Sequence, residues 1–352
     1  MTSISYPRPV YLPPLPRNAL FEKRPPKPWP GDCTLPNIVS LDTFKTVHLL
    51  NDYKMKDYIE YPRRNYRRPS ADIPMQLRQD VAFELRANNA YARIFFVNIV
   101  MKHILAQEYL ARGPVYFVTI VPPQFMFDLN DRPLSKRTIW AGAKRRVASK
   151  AAKFDIRKLQ ALTRWALSGI PFIAMVEAAL CKVWSFDQNS LTECISWHSH
   201  SICFHATKAQ IQTALHPLRD QYNESRSDDD HDIAHIKLIE TEEDLERTVA
   251  YFLKAPQKAR RSEFRGESID DDGEIKPAGY HSNKDWMRTG DRVRMLDIIG
   301  DRFLEQLLFG QAAGTALART IRQEALAPYL RWEDRRTARY AGLRTRSPIL
   351  PT

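Results

Sequence analysis

Between residues 114 and 256 the sequence switches repeatedly between strand-like and helix-like patterning, and that order restricts the fold more than any other feature. PVYFVTIVPPQF at 114–125 is a short apolar run stopped by a double proline, which reads as a buried strand. KRTIWAGAKRRVASKAAKFDIRKLQALTRWAL at 136–167 is basic and helical in pattern. GIPFIAMVEAALCKVW at 169–184 and LTECISWHSHSICFHA at 191–206 read as two further strands. TKAQIQTALHPLRDQYN follows as a helix expected to stop near Pro217, and IAHIKLIE at 233–240 is a fourth strand. TEEDLERTVAYFLKAP at 241–256 closes the series as a helix, with Thr241 as its N-cap and acidic residues in its first turn. The expected fold is therefore α+β: a central four- to five-stranded antiparallel sheet of split βαβ, ferredoxin-like topology with helices on one face. The other face must be covered or used as a site.

The flanks differ from this unit. Residues 1–74 are rich in proline and arginine and read as extended chain, 75–113 as helices, 257–283 as a charged linker or loop, 284–334 as helices again, and 335–352 as a basic tail. YPRRNYRRP at 61–69 reads as a solvated basic loop or as a DNA-contacting arm, with arginines for phosphates and tyrosines for bases. The chain carries a net charge of +12, which points to a polyanionic partner. None of the four cysteines forms a CxxC pair, which argues against a zinc knuckle. The early prolines argue against a signal peptide, and runs such as IFFVNIV are too short to span a membrane. A cytoplasmic protein with free thiols and no membrane partner is expected.

WHSH at 197–200 carries the chemistry. Alternate residues of a strand share a face, so His198 and His200 stand together, with Ile202 and Phe204 beyond them. Two such imidazoles can bind one divalent ion, although two half-buried histidines bonded locally would give the same pattern. Glu177, in the neighbouring strand FIAMVEAAL, supplies a third ligand if it faces the same way; a strand ending earlier would leave it at the rim. On the last helix Arg247, Tyr251 and Lys254 fall three and four apart, while Leu245, Val249, Phe252 and Leu253 form an apolar stripe. Tyr251 is thus a core-edge aromatic or a nucleophile, and Lys254 a group able to neutralise phosphate charge or favour the tyrosinate.

These motifs together resemble the HUH endonuclease superfamily, most nearly the rolling-circle replication initiators of plasmids and the related transposases. YFVTIV at 116–121 resembles the family's first strand motif, WHSHSICF at 197–204 its metal-binding HxH strand, and VAYFLK at 249–254 its tyrosine followed three places later by lysine. The resemblance covers about two fifths of the chain, 114–256. The chain departs from the pattern at Ser199, where a bulky apolar residue is usual, at Ser201, and at Val121, where a threonine is usual. The resemblance implies His198, His200 and Glu177 as ligands of Mg²⁺ or Mn²⁺, Tyr251 as catalytic nucleophile with Lys254 beside it, and single-stranded DNA or an origin hairpin as substrate. It also implies a 5′-phosphotyrosine intermediate and, since the chain has no P-loop, a helicase supplied by the host. A transposase or mobilisation relaxase would share this chemistry, and a non-catalytic DNA-binding protein would share the fold. The histidine-triad hydrolases need a third histidine where Ile202 stands.

Overall fold

A computed structural model describes residues 38, 40–61, 69, 72–129, 150–185, 190–223, 233–265, 268–269, 275–276, 279–300 and 302–344. The proline-rich start, most of the arginine-rich arm, the basic stretch 136–149 and residues 345–352 lie outside these.

Two long helices, α1 (Leu41–Glu60) and α2 (Ala90–Leu105), and some shorter helical turns precede the first strand. Then come β1 (Val115–Ile120), β2 (Met126–Asp128), α3 (Ile156–Ala166), β3 (Phe172–Ser185), β4 (Ser190–Phe204), α4 (Lys208–Asn223), β5 (Ala234–Ile239) and α5 (Glu242–Phe252). The central strands lie in the order β5-β1-β4-β3, all antiparallel, which is the split βαβ arrangement. N- and C-terminal helices flank this sheet.

The sheet is larger than expected. The segment read as a linker forms β6 (Lys258–Arg265) and β9 (Gly279–Trp286), with a small pair, β7 (Ser268–Ile269) and β8 (Ile275–Lys276), between them. β6 pairs with β3 in parallel, so the sheet is mixed. A further strand, β10 (Leu308–Gln311), follows α6 (Thr289–Ile299) and pairs with the start of β3. The last helix, α7 (Ala313–Arg344), continues through most of the segment read as a tail. Helix α4 also runs past Pro217, because Ile211, Leu215 and Leu218 keep one fully buried stripe across it.

Both faces of the sheet are covered. On one, Thr163 of α3 hydrogen-bonds Ser199, and the indole N–H of Trp197 donates to the Ala151 carbonyl. On the other, α5, α2 and α1 close over the face that carries His198 and His200. The main hydrophobic core runs from Phe44 of α1 through Phe96 of α2 and Ile202 of β4 to Ile321 of α7, and a smaller cluster gathers Met55, Ile73, Leu77, Val293 and Leu296. Among the described residues one helical stretch, 90–112, is long and apolar enough to cross a membrane. Its Phe96, Val97, Val100 and Ile104 are fully buried in this core.

Candidate metal centre

The β3–β4 register places Glu177 directly opposite His198 and Met175 opposite His200, so the carboxylate and both imidazoles share one face. Their donor atoms converge. His200 Nε2 lies 2.8 Å from Glu177 Oε2 and 3.1 Å from His198 Nε2, and His198 Nε2 lies 3.6 Å from the same carboxylate oxygen. All three residues are buried, at 8%, 8% and 3% exposure for Glu177, His198 and His200.

The hydrogen bonds fix the tautomers. His198 Nδ1–H donates to the Ser196 carbonyl at 3.2 Å, which leaves a lone pair on Nε2. His200 Nε2–H is shared between the Glu177 carboxylate and that lone pair, so His200 Nδ1 accepts from the Thr119 hydroxyl at 2.9 Å. One proton thus sits amid three donor atoms. Two ligands on one ion at about 2.1 Å each stand roughly 3 to 3.4 Å apart in octahedral or tetrahedral geometry. The observed spacings of 2.8, 3.1 and 3.6 Å bracket that range, and the three residues form a cluster able to hold a divalent metal. With an ion on Nε2, His200 would carry its proton on Nδ1, and Thr119 would turn from donor to acceptor.

Lys254 supplies the charge that makes this burial tolerable. Its Nζ lies 2.8 Å and 2.6 Å from the two oxygens of Glu177. Burial would raise the Glu177 pKa, but Lys254 and the two imidazoles outweigh it and hold the carboxyl well below the usual range. Lys254 is in turn disfavoured by burial yet held as ammonium, its pKa raised, by Glu177. Burial lowers His200 to about 3, against the opposing pull of Glu177, so it stays neutral.

Tyr251 projects from α5 toward the same cluster. Its ring centre is 5.5 Å from that of His200 and 6.0 Å from that of Phe117, edge-on to both. Lys254 Nζ sits 3.8 Å above the Tyr251 ring, on its face rather than at its hydroxyl. Helix α5 ends at Phe252, so Lys254 lies beyond it and does not continue the helical face of Arg247 and Tyr251. Arg247 pairs with Glu243 and Asp244 and takes no part in the cluster. The apolar stripe of Leu245, Val249, Phe252 and Leu253 is buried as expected. His205 follows the end of β4 with a positive φ of 57° and stands apart from the pair.

Two residues that the sequence pattern left unnoticed shape this corner. Arg93 of α2 donates to the carbonyls of Ala87, Leu253 and Lys254 at 2.7, 2.8 and 3.1 Å. His48 of α1 donates from Nδ1 to Phe44 O at 2.7 Å and accepts the Ala255 N–H at Nε2, 3.0 Å away. Together they clamp the backbone that carries Lys254. Sequence offers no signal for either, because both act on main-chain atoms.

The three cluster residues are buried, whereas Tyr251 and Lys254 are half-buried. Between the stretches of β3 paired with β10 and β6, residues 176–180 have no strand partner on that edge among the described residues. The space there, bounded by Arg93, Glu177, Phe252, Lys254 and Pro256, is about 10 Å³, barely enough for one water. A cavity of about 690 Å³ lies elsewhere, lined by Asp155, Arg157, Gln160 and Arg302 among others and by none of the cluster residues.

A His-x-His pair with a glutamate, on a mixed α+β fold of split βαβ order, is consistent with an HUH-like superfamily and with a metal-dependent catalytic function in general. No protein-family model, no curated protein and no solved structure matches the chain.

Proposed function

We propose that this protein nicks and rejoins single-stranded DNA, with Tyr251 as nucleophile, and that it initiates rolling-circle replication from an origin strand or hairpin. The observation that carries the reading is the convergence of Glu177, His198 and His200 on one sheet face with the Tyr251 ring 5.5 Å from His200. Mg²⁺ or Mn²⁺ held by the cluster would polarise the scissile phosphate. Tyr251 loses its proton and attacks phosphorus in line; the 3′-oxygen leaves, giving a 5′-phosphotyrosyl bond and a free 3′-hydroxyl. Lys254 holds Glu177 ionised and places a positive charge beside the tyrosine ring, close to where the phosphate would lie. A transposase or relaxase would use the same steps.

A second reading, a DNA-binding protein without catalysis, is favoured by the burial of Glu177, His198 and His200 and by the Lys254–Glu177 pair. Incubation with single-stranded origin DNA and Mn²⁺ separates the two. The catalytic reading expects a denaturant-resistant adduct that peptide mapping places on Tyr251, and expects Tyr251→Phe to fold and bind DNA but form none. DNA binding without cleavage or adduct in the wild type would establish the second reading; cleavage that persists in Tyr251→Phe would point to a water nucleophile.

A further inference from the structure

A row of four residues crosses the sheet four residue pairs away from Glu177 and His198. The register sets Asp128 of β2 opposite Cys194 of β4, Cys194 opposite Cys181 of β3, and Cys181 opposite Arg260 of β6. Both cysteines lie four positions from a cluster residue on their own strand, so they share the cluster's face. Between them and the cluster stand Ala179 and Ser196, the latter with a buried hydroxyl that has no hydrogen-bond partner among the described residues. Both cysteines are free, at 8% and 7% exposure, whereas Cys203 is wholly buried. The row reaches solvent at Asp128, which is exposed.

Opposed residues of an antiparallel pair have Cβ atoms about 4.5–5.5 Å apart, and a disulfide needs about 3.5–4.5 Å. A small closure of the two strands is enough. The two thiols also differ. A hydrogen bond from Cys194 lowers the Cys181 pKa; burial opposes it and the Arg260 charge assists. The same hydrogen bond, with burial, raises Cys194. Cys181 is the better thiolate and Cys194 the second thiol placed to resolve.

We propose that Cys181 and Cys194 form a thiol-modification site at which a small disulfide oxidant, such as oxidised glutathione, closes a reversible disulfide across β3 and β4. The Cys181 thiolate attacks one sulfur of the oxidant and expels one glutathione thiolate. Cys194 then loses its proton and attacks Cys181 Sγ, expelling the second. The net change is protein dithiol plus oxidised glutathione to protein disulfide plus two reduced glutathione molecules. The bond pins the pair of strands that presents Glu177 and His198.

The test uses the full reduced chain, incubated with oxidised glutathione, quenched in acid, alkylated in denaturant and digested. The expected result is one linked peptide pair holding Cys181 and Cys194, a mass lower by two hydrogens, full alkylation of Cys203, and reversal by dithiothreitol. Cys194→Ser should leave Cys181 carrying one stable glutathione, because no second thiol displaces it, and Cys181→Ser should take up much less. The wild-type measurement stands without either variant, and the same treatment of the denatured chain should lose the selectivity. Four free thiols after prolonged oxidation, separate glutathiones on both cysteines of the wild type, or a link through Cys33 or Cys203 would each overturn the assignment.

Discussion

Thr119 shows how much of a candidate metal centre can rest on a residue outside its three ligands. Its hydroxyl bonds His200 Nδ1 at 2.9 Å, and it can serve either tautomer because a hydroxyl both donates and accepts. Thr119→Val keeps shape and strand propensity but removes that partner. Titration calorimetry with Mn²⁺ should show affinity weakened by roughly 10- to 100-fold with the fold retained; unchanged affinity would mean that Thr119 plays no part. His48 gives a prediction of a different kind. Burial and then the Arg93 charge lower its pKa from 6.5 to about 3. Below pH 6.5 the unfolded chain takes up a proton that the folded chain refuses, so this stability is full above pH 6.5 and declines as pH falls toward 3. His48→Gln keeps an acceptor but does not titrate. Urea unfolding at about pH 7 and pH 5 should show the wild type losing about 2 kcal/mol more than the variant, and parallel losses would rule the coupling out. His198, His200 and Glu177 were legible in the sequence because strand alternation fixes which side chains share a face. Thr119, Arg93 and His48 were not, since what matters about them is the partner that tertiary structure brings near.

At the level of elements, what could be read depended on how strongly a segment declares itself. β1, β3, β4 and β5 carry apolar runs or alternation and were found close to their observed bounds. β6 and β9 are polar, KARRSEFR and GYHSNKDW, and are strands because they pair with each other and β6 pairs with β3. β10 has four residues, too few for any period to show. Its place is set by close approach: a Cβ on Gly314, in the first turn of α7, would overlap the Phe172 carbonyl of β3, and one on Gly310 would overlap the Gly314 carbonyl. Glycine at both positions lets the last helix seat directly on the sheet backbone. Gly314→Ala should therefore cost roughly 2–3 kcal/mol in urea unfolding, despite the gain in helix propensity. A neutral or stabilising result would show that α7 docks more loosely than this contact requires.

The main hydrophobic core ignores the segment boundaries suggested by sequence. Residues 114–256 contain every cluster residue, yet the face that carries them is roofed by α1 and α2, and Arg93 and His48 reach down from that roof. A chain cut to 114–352 would lose the core residues Phe44, Phe96 and Val100. It should unfold without a cooperative transition and bind a hydrophobic dye, as loosely packed states do; a sharp transition at the full-length midpoint would contradict a shared core. The net charge of +12 says nothing about this arrangement, because charge reports on partners rather than on fold. The clamp between Arg93 and the Leu253 carbonyl, 160 positions apart, has a further consequence during synthesis. At about 5–20 residues per second the roof helices leave the ribosome roughly 10–30 s before the segment they are to clamp. Through that interval Arg93 has no carbonyl to clamp, so the corner that seats Lys254 takes its form only after residue 254 has left the ribosome.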